Sequence, residues 1–262
     1  MQPILSLQDI SYSYHNLKGE TPALTHINLQ ISEGEFVAIV GPSGCGKSTL
    51  LSIIARLLVP EEGNVLYRGL SLLDYCQDTV LKIGYMLQKD HLFEWRTVYQ
   101  NVILGLELNH MLSKENTDYV LKLLKDYGLY AFKDKKPSEL SGGMRQRAAL
   151  IRTMAVHPDL LLLDEPFSAL DFQTRLAVSA DIASIIRKTS KTAILITHDL
   201  SEAITLADRV IVLSKRPAYV KCEMPIHYAV SREDPLAIRS TKEYQDYFNQ
   251  LWEVLTDGES IL

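Results

Sequence analysis

Apolar and polar residues alternate from Ile4 to Tyr14, which predicts a strand with Ile4, Ser6, Gln8, Ile10, Tyr12 and Tyr14 on one side of its pleat. Asn, Gly and Pro between His15 and Pro22 predict a turn, and Leu24 to Ile31 a second strand closed by Ser32-Glu33-Gly34. Phe36 to Val40 is a short apolar run rich in β-branched residues, and Leu50 to Ala55 reads as a helix. Val65-Leu66-Tyr67 and Ile83-Gly84-Tyr85-Met86-Leu87 are further short strands. From Thr97 to Tyr130 the period lengthens and no strand candidate occurs. Val98, Val102, Leu106 and Leu108 begin one helical pattern. Val120, Leu121, Leu123, Leu124 and Tyr127 make a second, with Ser113 as N-cap and Gly128 as stop. Met144 to Ala155 is another helix, ended by His157-Pro158.

Leu160 to Leu163 is a continuous apolar run, the pattern of a strand buried on both faces of a parallel sheet. Phe172 to Lys188 predicts a long amphipathic helix, Ala193 to Thr197 the next buried strand, Ser201 to Ala207 a short helix, and Val210 to Leu213 the last core strand. Beyond Ser214 the pattern weakens. Tyr219 to Ile226 reads as a strand pair or a sheet edge, and Lys242 to Leu255 as an amphipathic helix carrying Tyr244, Tyr247, Phe248, Leu251 and Leu255.

Between the strand ending at Val40 and the helix beginning at Leu50 lies Gly41-Pro42-Ser43-Gly44-Cys45-Gly46-Lys47-Ser48-Thr49. Strand, glycine-rich turn, lysine, hydroxyl and helix form the P-loop arrangement. Gly44 and Gly46 let the backbone bend so that successive N–H groups face phosphate oxygens, and the helix presents its positive end to the same anion. Lys47 can reach the β- and γ-phosphates and the Ser48 hydroxyl can ligand Mg²⁺. A dinucleotide fingerprint does not fit, because the glycines at 41, 44 and 46 miss the G-x-G-x-x-G spacing. The fold class follows: α/β, a P-loop NTPase core with an N-terminal antiparallel β-subdomain and an inserted α-helical subdomain. One domain is expected over 1–262, with the helical subdomain at about 97–155 and a C-terminal extension at about 215–262.

Composition narrows the setting. At 47% hydrophobic and 23% charged the chain is ordinary for a globular protein. No apolar run approaches the ~20 residues of a membrane helix, and the opening Met1-Gln2-Pro3-Ile4 lacks the pattern of a secretory signal. A net charge of −5 without a Lys/Arg block argues against nucleic acid as a partner. Cys45, Cys76 and Cys222 lack metal-ligand spacing, which fits a reducing cytosol. Cys45 lies inside the phosphate loop, where a small residue, rather than a reactive thiol, is the expected role.

Hydrolysis needs more than a phosphate cradle. Asp164 follows a buried strand, the position from which a carboxylate holds Mg²⁺ through a coordinated water, and Glu165 can polarise the attacking water. Ser141-Gly142-Gly143 precedes the helix from Met144, so its N–H groups can approach an anion, although such a tripeptide is also a common loop and cap. His198 could donate to a γ-phosphate and Gln88 could touch Mg²⁺ or water; both also suit purely structural roles at strand ends.

The order of Gly41–Thr49, Gln88, Leu140-Ser141-Gly142-Gly143-Met144-Arg145-Gln146-Arg147, Leu160–Glu165, Ser168-Ala169-Leu170-Asp171 and His198 resembles an ABC-transporter ATPase subunit. The resemblance covers Ile4 to about Leu213. It implies ATP and Mg²⁺ as cofactors, Tyr14 stacking on adenine with Tyr12 as fallback, Glu165 as catalytic glutamate and His198 as γ-phosphate sensor. It implies two copies packed head to tail, the partner's Ser141 and Gly143 on the γ-phosphate, and Asp171 in the loop joining the two sites. It further implies a membrane permease contacting the helical stretch and the segment after Gln88, with Trp95 as candidate contact or core residue. The chain would then lie peripherally on the cytoplasmic face of the membrane, with a solute-binding protein as indirect partner. The phosphate loop, the signature and Leu213-Ser214-Lys215-Arg216-Pro217 look like the importer branch for nitrate, sulfonates and taurine. Two departures stand out: Met144 replaces the commoner Gln, and Glu94 precedes Trp95 where Pro is usual. Exporters, soluble ABC ATPases and inactive relatives are the competing readings.

Overall fold

The computed structural model describes residues 3–17, 19–74, 82–168, 170–230 and 235–256. In chain order the first elements are β1 (Leu5–Asn16), β2 (Gly19–Ile31), β3 (Phe36–Val40), α1 (Lys47–Ile54), β4 (Glu62–Tyr67), β5 (Leu70–Ser71) and β6 (Ile83–Met86). Then come α2 (Val98–Val102), α3 (Leu104–Leu108), α4 (Lys114–Asp126), α5 (Gly142–Met154), β7 (Leu160–Asp164) and α6 (Phe172–Lys188). The chain continues through β8 (Thr192–Ile196), α7 (Leu200–Leu206), β9 (Arg209–Leu213), β10 (Val220–Pro225), α8 (Pro235–Arg239) and α9 (Lys242–Thr256). Two compact units emerge, one made of 1–81 with 186–262 and one of 82–185.

In the first unit β2, β1, β4 and β5 form an antiparallel sheet in that order. The turn expected over His15–Pro22 is instead hairpin: Ser13 pairs with Pro22, Tyr14 with Thr21, His15 with Glu20 and Asn16 with Gly19. The single-sided pleat expected from Ile4 to Tyr14 is also broken. Asp9 takes φ 56°, the register slips between Leu7 and Ile10, and burial is continuous from Ile4 to Leu7 before it resumes at Ile10. Gly63 sits against this bulge; a Cβ there would lie 2.3 Å from the Gln8 carbonyl oxygen, so only glycine lets β4 close on β1.

β9, β3 and β8 form the parallel core of the same unit, with β10 antiparallel on the outer side of β9. Every residue of β3 and β8 is buried, as strands covered on both faces require. Arg209, opening β9, ties three strands together: it pairs with Glu35 at 2.7 and 3.0 Å, with Glu223 at 2.5 Å, and reaches the Gln30 carbonyl at 2.6 Å. The C-terminal helix α9 packs against α7 and buries Leu251, and its Tyr244 hydroxyl donates to Ser201 at 2.9 Å. No helix among the described residues is long and apolar enough to cross a membrane.

The second unit is mainly helical. β6 and β7 pair in parallel from Ile83↔Leu160 to Met86↔Leu163, and α5 packs on β6, α2, α3 and α4. Gly84 permits the approach: a Cβ there would meet Thr153 Cγ2 at 2.7 Å. The single helix expected from Val98 to Leu108 breaks at Ile103 into α2 and α3, and Leu108 is exposed rather than on the buried face. Ser113 caps α4 through Asn116 N at 3.1 Å and Gly128 terminates it at φ 70°.

The segment after Gln88 is organised by Asn101, which is fully buried. Its oxygen accepts from Phe93 N at 2.7 Å, and its amide donates to the carbonyls of Phe93, Thr97 and Arg96 at 3.1, 3.0 and 3.3 Å. Asn101→Ala removes the acceptor of Phe93 N and a side-chain donor from three carbonyls, of which those of Phe93 and Thr97 keep a backbone donor, Arg96 N and Asn101 N. We expect it to lower unfolding free energy by about 2–3 kcal/mol in urea titrations and to make the chain near Phe93 the first site of proteolysis.

Candidate functional site

In the first unit the phosphate loop is shaped by its glycines. Gly44 has φ 73° and Gly46, the N-cap of α1, φ 125°. A Cβ on Gly46 would lie 2.9 Å from Leu24 Cδ2 and 3.0 Å from the Ala23 carbonyl oxygen; one on Gly41 would lie 3.0 Å from the Leu213 oxygen. Gly46→Ala therefore combines a forbidden φ with a collision against β2. Its expected cost is about 2–3 kcal/mol, read as a lowered melting temperature, together with loss of nucleotide binding.

Lys47 is 7% exposed. Its ammonium turns onto its own loop, donating to the carbonyls of Gly41 at 2.8 Å and Pro42 at 3.0 Å. Ser43, Gly44 and Ser48 face outward, while Thr49 is buried. Cys45 is buried, and burial pushes its thiol up despite the opposing pull of Lys47. This agrees with a small packing residue. Cys76 lies outside the described residues.

Tyr14 stands where β1 meets this loop. Its hydroxyl lies 3.0 Å from Thr49 Oγ1, its ring meets Tyr12 edge-on at 5.1 Å, and the Arg216 guanidinium sits 5.8 Å from the ring centre. Arg216 is itself anchored on the Pro22 carbonyl at 3.0 Å. Sequence reasoning missed this cation, although Arg216 lies within the Leu213–Pro217 stretch that carries part of the family resemblance. His198 is exposed, two residues past β8. The turn that carries it is hydrogen-bonded on both sides: buried Thr197 donates to Glu202 at 2.7 Å, and Asp199 caps α7 through Ser201 N at 2.8 Å.

In the second unit Asp164 ends β7 almost fully buried, with the Tyr85 hydroxyl donating to it at 3.3 Å. Glu165 leaves the strand with φ 45°, an arrangement uncommon for a non-glycine residue. Ser168 holds it, donating from N and Oγ to the Glu165 carbonyl at 3.2 and 3.0 Å. The Gln88 amide donates to Glu165 Oε2 at 3.1 Å. These two residues, 77 positions apart, are thus joined directly.

Ser141 accepts from Met144 N at 3.4 Å and caps α5, which begins at Gly142 rather than at the expected Met144. Gly143 is buried under α6; a Cβ there would be 3.0 Å from Thr174 Cγ2. Asp171 caps α6 by accepting from Thr174 N at 3.1 Å, and these bonds to Thr174 draw its carboxyl below the usual range. Ala169 lies outside the described residues. Arg145 grips Asp90 through two bonds at 2.8 and 3.0 Å and takes Glu94 at 2.9 Å. Glu94 is therefore a partner of the signature helix, a role hidden at the sequence level. Trp95 is 72% exposed, stacked on Phe93 at 4.6 Å, so its reading as a core residue fails.

A cradle that closes only on glycines, with an ammonium at its centre, fits a phosphate chain. A buried strand-end carboxylate next to a second carboxylate suits a divalent cation and a water. The comparisons agree. Residues 24–168 match the model described as ABC transporter. The uncharacterized ABC transporter ATP-binding protein YtlC of Bacillus subtilis is 42% identical over 97% of this chain and 96% of its own. The nitrate import ATP-binding protein NrtD of Synechocystis is 38% identical over 98% and 96%. A solved dimer of the ATP-binding cassette MJ0796, in a post-hydrolysis state with ADP and Pi, superposes with TM-score 0.75 at 34% identity, covering 86% of this chain and 99% of that one. The chain belongs to the ABC transporter family. It is an ATP-binding subunit with ATPase activity, and its cofactors are ATP and Mg²⁺.

Proposed function

We propose that this chain is the ATP-hydrolysing subunit of an importer for a small solute of the nitrate, sulfonate or taurine kind. Two copies close head to tail over ATP, and their opening and closing drive a membrane permease by favouring one of its two states. A solute-binding protein delivers the cargo. The subunit sits peripherally on the cytoplasmic face of the membrane.

Residue roles follow from chemistry. Backbone N–H groups of Gly41 to Thr49 hold the phosphates, Lys47 neutralises them, and Tyr14 stacks on the base. Ser48, Asp164 and Gln88 are the Mg²⁺ set; the bound ion supplies charge neutralisation on the phosphate oxygens. Glu165 accepts the proton of the attacking water, and His198 donates to the γ-phosphate. Ser141, Gly142 and Gly143 of the opposite copy offer N–H groups and a helix end to the same phosphate. Asp171 links the two sites.

The observation that carries the reading is the Gln88–Glu165 hydrogen bond. It ties the proton acceptor to the first residue of the segment that runs through Glu94 and Trp95, so a permease pressing on that segment reaches the reacting water. Importer, rather than exporter, is favoured by the near full-length match to the nitrate import subunit. Trp95→Ala tests the arrangement: ATP hydrolysis by the isolated protein should stay within about twofold, while co-purification with the permease falls at least about fivefold, a modest energetic change for an exposed aromatic anchor. A variant that instead loses basal ATPase activity together with its fold would contradict the role of Trp95 as an external contact.

A further inference from the structure

The first unit contains a cavity of about 220 Å³ that borders the phosphate loop at Pro42. Pro42 and Leu213 form one wall, Val254 and Leu255 another, and Lys215 and Lys221 line it as well. We propose that this cavity binds a small organic anion, a carboxylate or sulfonate on a short apolar body, and that its occupant tunes ATP binding. The second half rests on the nucleotide roles proposed above for Lys47 and Tyr14.

The chemistry of the lining sets the ligand class. Two lysines in the lining suit an anionic head, and Pro42, Leu213, Val254 and Leu255 suit a few carbons. The Lys221 ammonium donates to the Val254 carbonyl and so caps α9. An ammonium has three donors, so it can hold that carbonyl and an anion together. The walls are pre-formed. Ser214 N donates to the Tyr219 carbonyl and Tyr219 N to Ser214 Oγ, both at 3.0 Å. Ala218 is pinned to β2 through Ala23 O and Thr25 N at 2.9 Å each.

Position gives the site its effect. Pro42 is both a cavity wall and an acceptor of the Lys47 ammonium. Lys215 lines the cavity, and the next residue, Arg216, lies over the Tyr14 ring. One occupant therefore bears on the phosphate end and the base end of the nucleotide site. A ligand that fits the cavity as formed here favours the loop arrangement in which Lys47 is bonded to its own backbone, which weakens ATP binding.

The test titrates 1-butanesulfonate, butanoate, inorganic sulfate and butylammonium by calorimetry into the nucleotide-free full chain, the state in which Lys47 holds its own loop, and repeats the titration in saturating Mg-ADP, where reciprocal coupling should weaken the organic anions. One saturable site per chain is expected for the two organic anions, with sulfate at least about tenfold weaker and no heat from butylammonium. Lys215→Gln should weaken 1-butanesulfonate at least about tenfold and Lys215→Arg should restore it. Leu255→Trp, which fills the cavity, should abolish binding at an unchanged melting temperature. In steady-state assays 1-butanesulfonate should raise the KM for ATP at least about threefold in the wild type and leave it unchanged in Lys215→Gln. Absent binding, or binding equal in all variants, overturns the site; binding without a KM shift overturns its link to the nucleotide. Basal ATPase activity, measured without anion, reports separately on the function proposed above.

Discussion

Glu165→Gln is expected to bind Mg-ATP with wild-type affinity, lose turnover by about 10²–10⁴-fold, and accumulate as a dimer. The rate loss is what removing a general base costs, about 3–5 kcal/mol of barrier. Affinity survives because the substitution is isosteric and keeps the bonds to Ser168 and Gln88. The strained backbone at φ 45° is held by Ser168 through the Glu165 carbonyl, which a glutamine retains. Gln88 still finds an acceptor, since an amide oxygen replaces Oε2. With hydrolysis blocked, ATP keeps the two copies together, so light scattering should show mass doubling on adding Mg-ATP. Hydrolysis at the wild-type rate would show that another group activates the water. Monomers at saturating Mg-ATP would refute the sandwich.

This behaviour was legible in the sequence to an uneven degree. Phe172–Lys188 is a helix with the bounds that its pattern predicts, because a long amphipathic stripe is a local property. The glycine cradle and the strand-end Asp164 were also readable, since those roles demand particular residue types at fixed spacing. What escaped depends on the meeting of distant positions. The close approach of α5 and α6 is one such meeting, with Thr174 and Val178 filling the space a side chain on Gly143 would take. The bulge at Asp9 needs the close approach of Gly63, and nothing in the alternation of Ile4 to Tyr14 encodes that. Arg145 reads as a polar residue of a signature, yet its guanidinium fixes Asp90 and Glu94 in the segment beyond Gln88. Trp95 shows the converse. A large apolar residue defaults to a core position, and only the fold shows Trp95 exposed and stacked on half-buried Phe93.

Lys47→Ala should show the second large effect, and its sign differs between binding and stability. The ammonium is the one positive charge inside the cradle, and a charge-assisted hydrogen bond from a buried ammonium to phosphate is worth about 2–4 kcal/mol. Calorimetry should therefore find ATP affinity reduced roughly 30- to 1000-fold. Stability has opposing terms. The carbonyls of Gly41 and Pro42 lose a donor, which destabilises the loop, while removal of a 7%-exposed charge relieves a desolvation penalty. The two nearly cancel, so the melting temperature without nucleotide should move by only a few degrees, while the stabilisation conferred by Mg-ATP on the wild type disappears. Lys47→Arg should not rescue binding. A planar fork cannot reproduce the compact point charge that the two carbonyls of Gly41 and Pro42 hold. Wild-type ATP affinity in Lys47→Ala would mean that backbone N–H groups alone hold the phosphates, and the buried ammonium would then serve only to brace the loop.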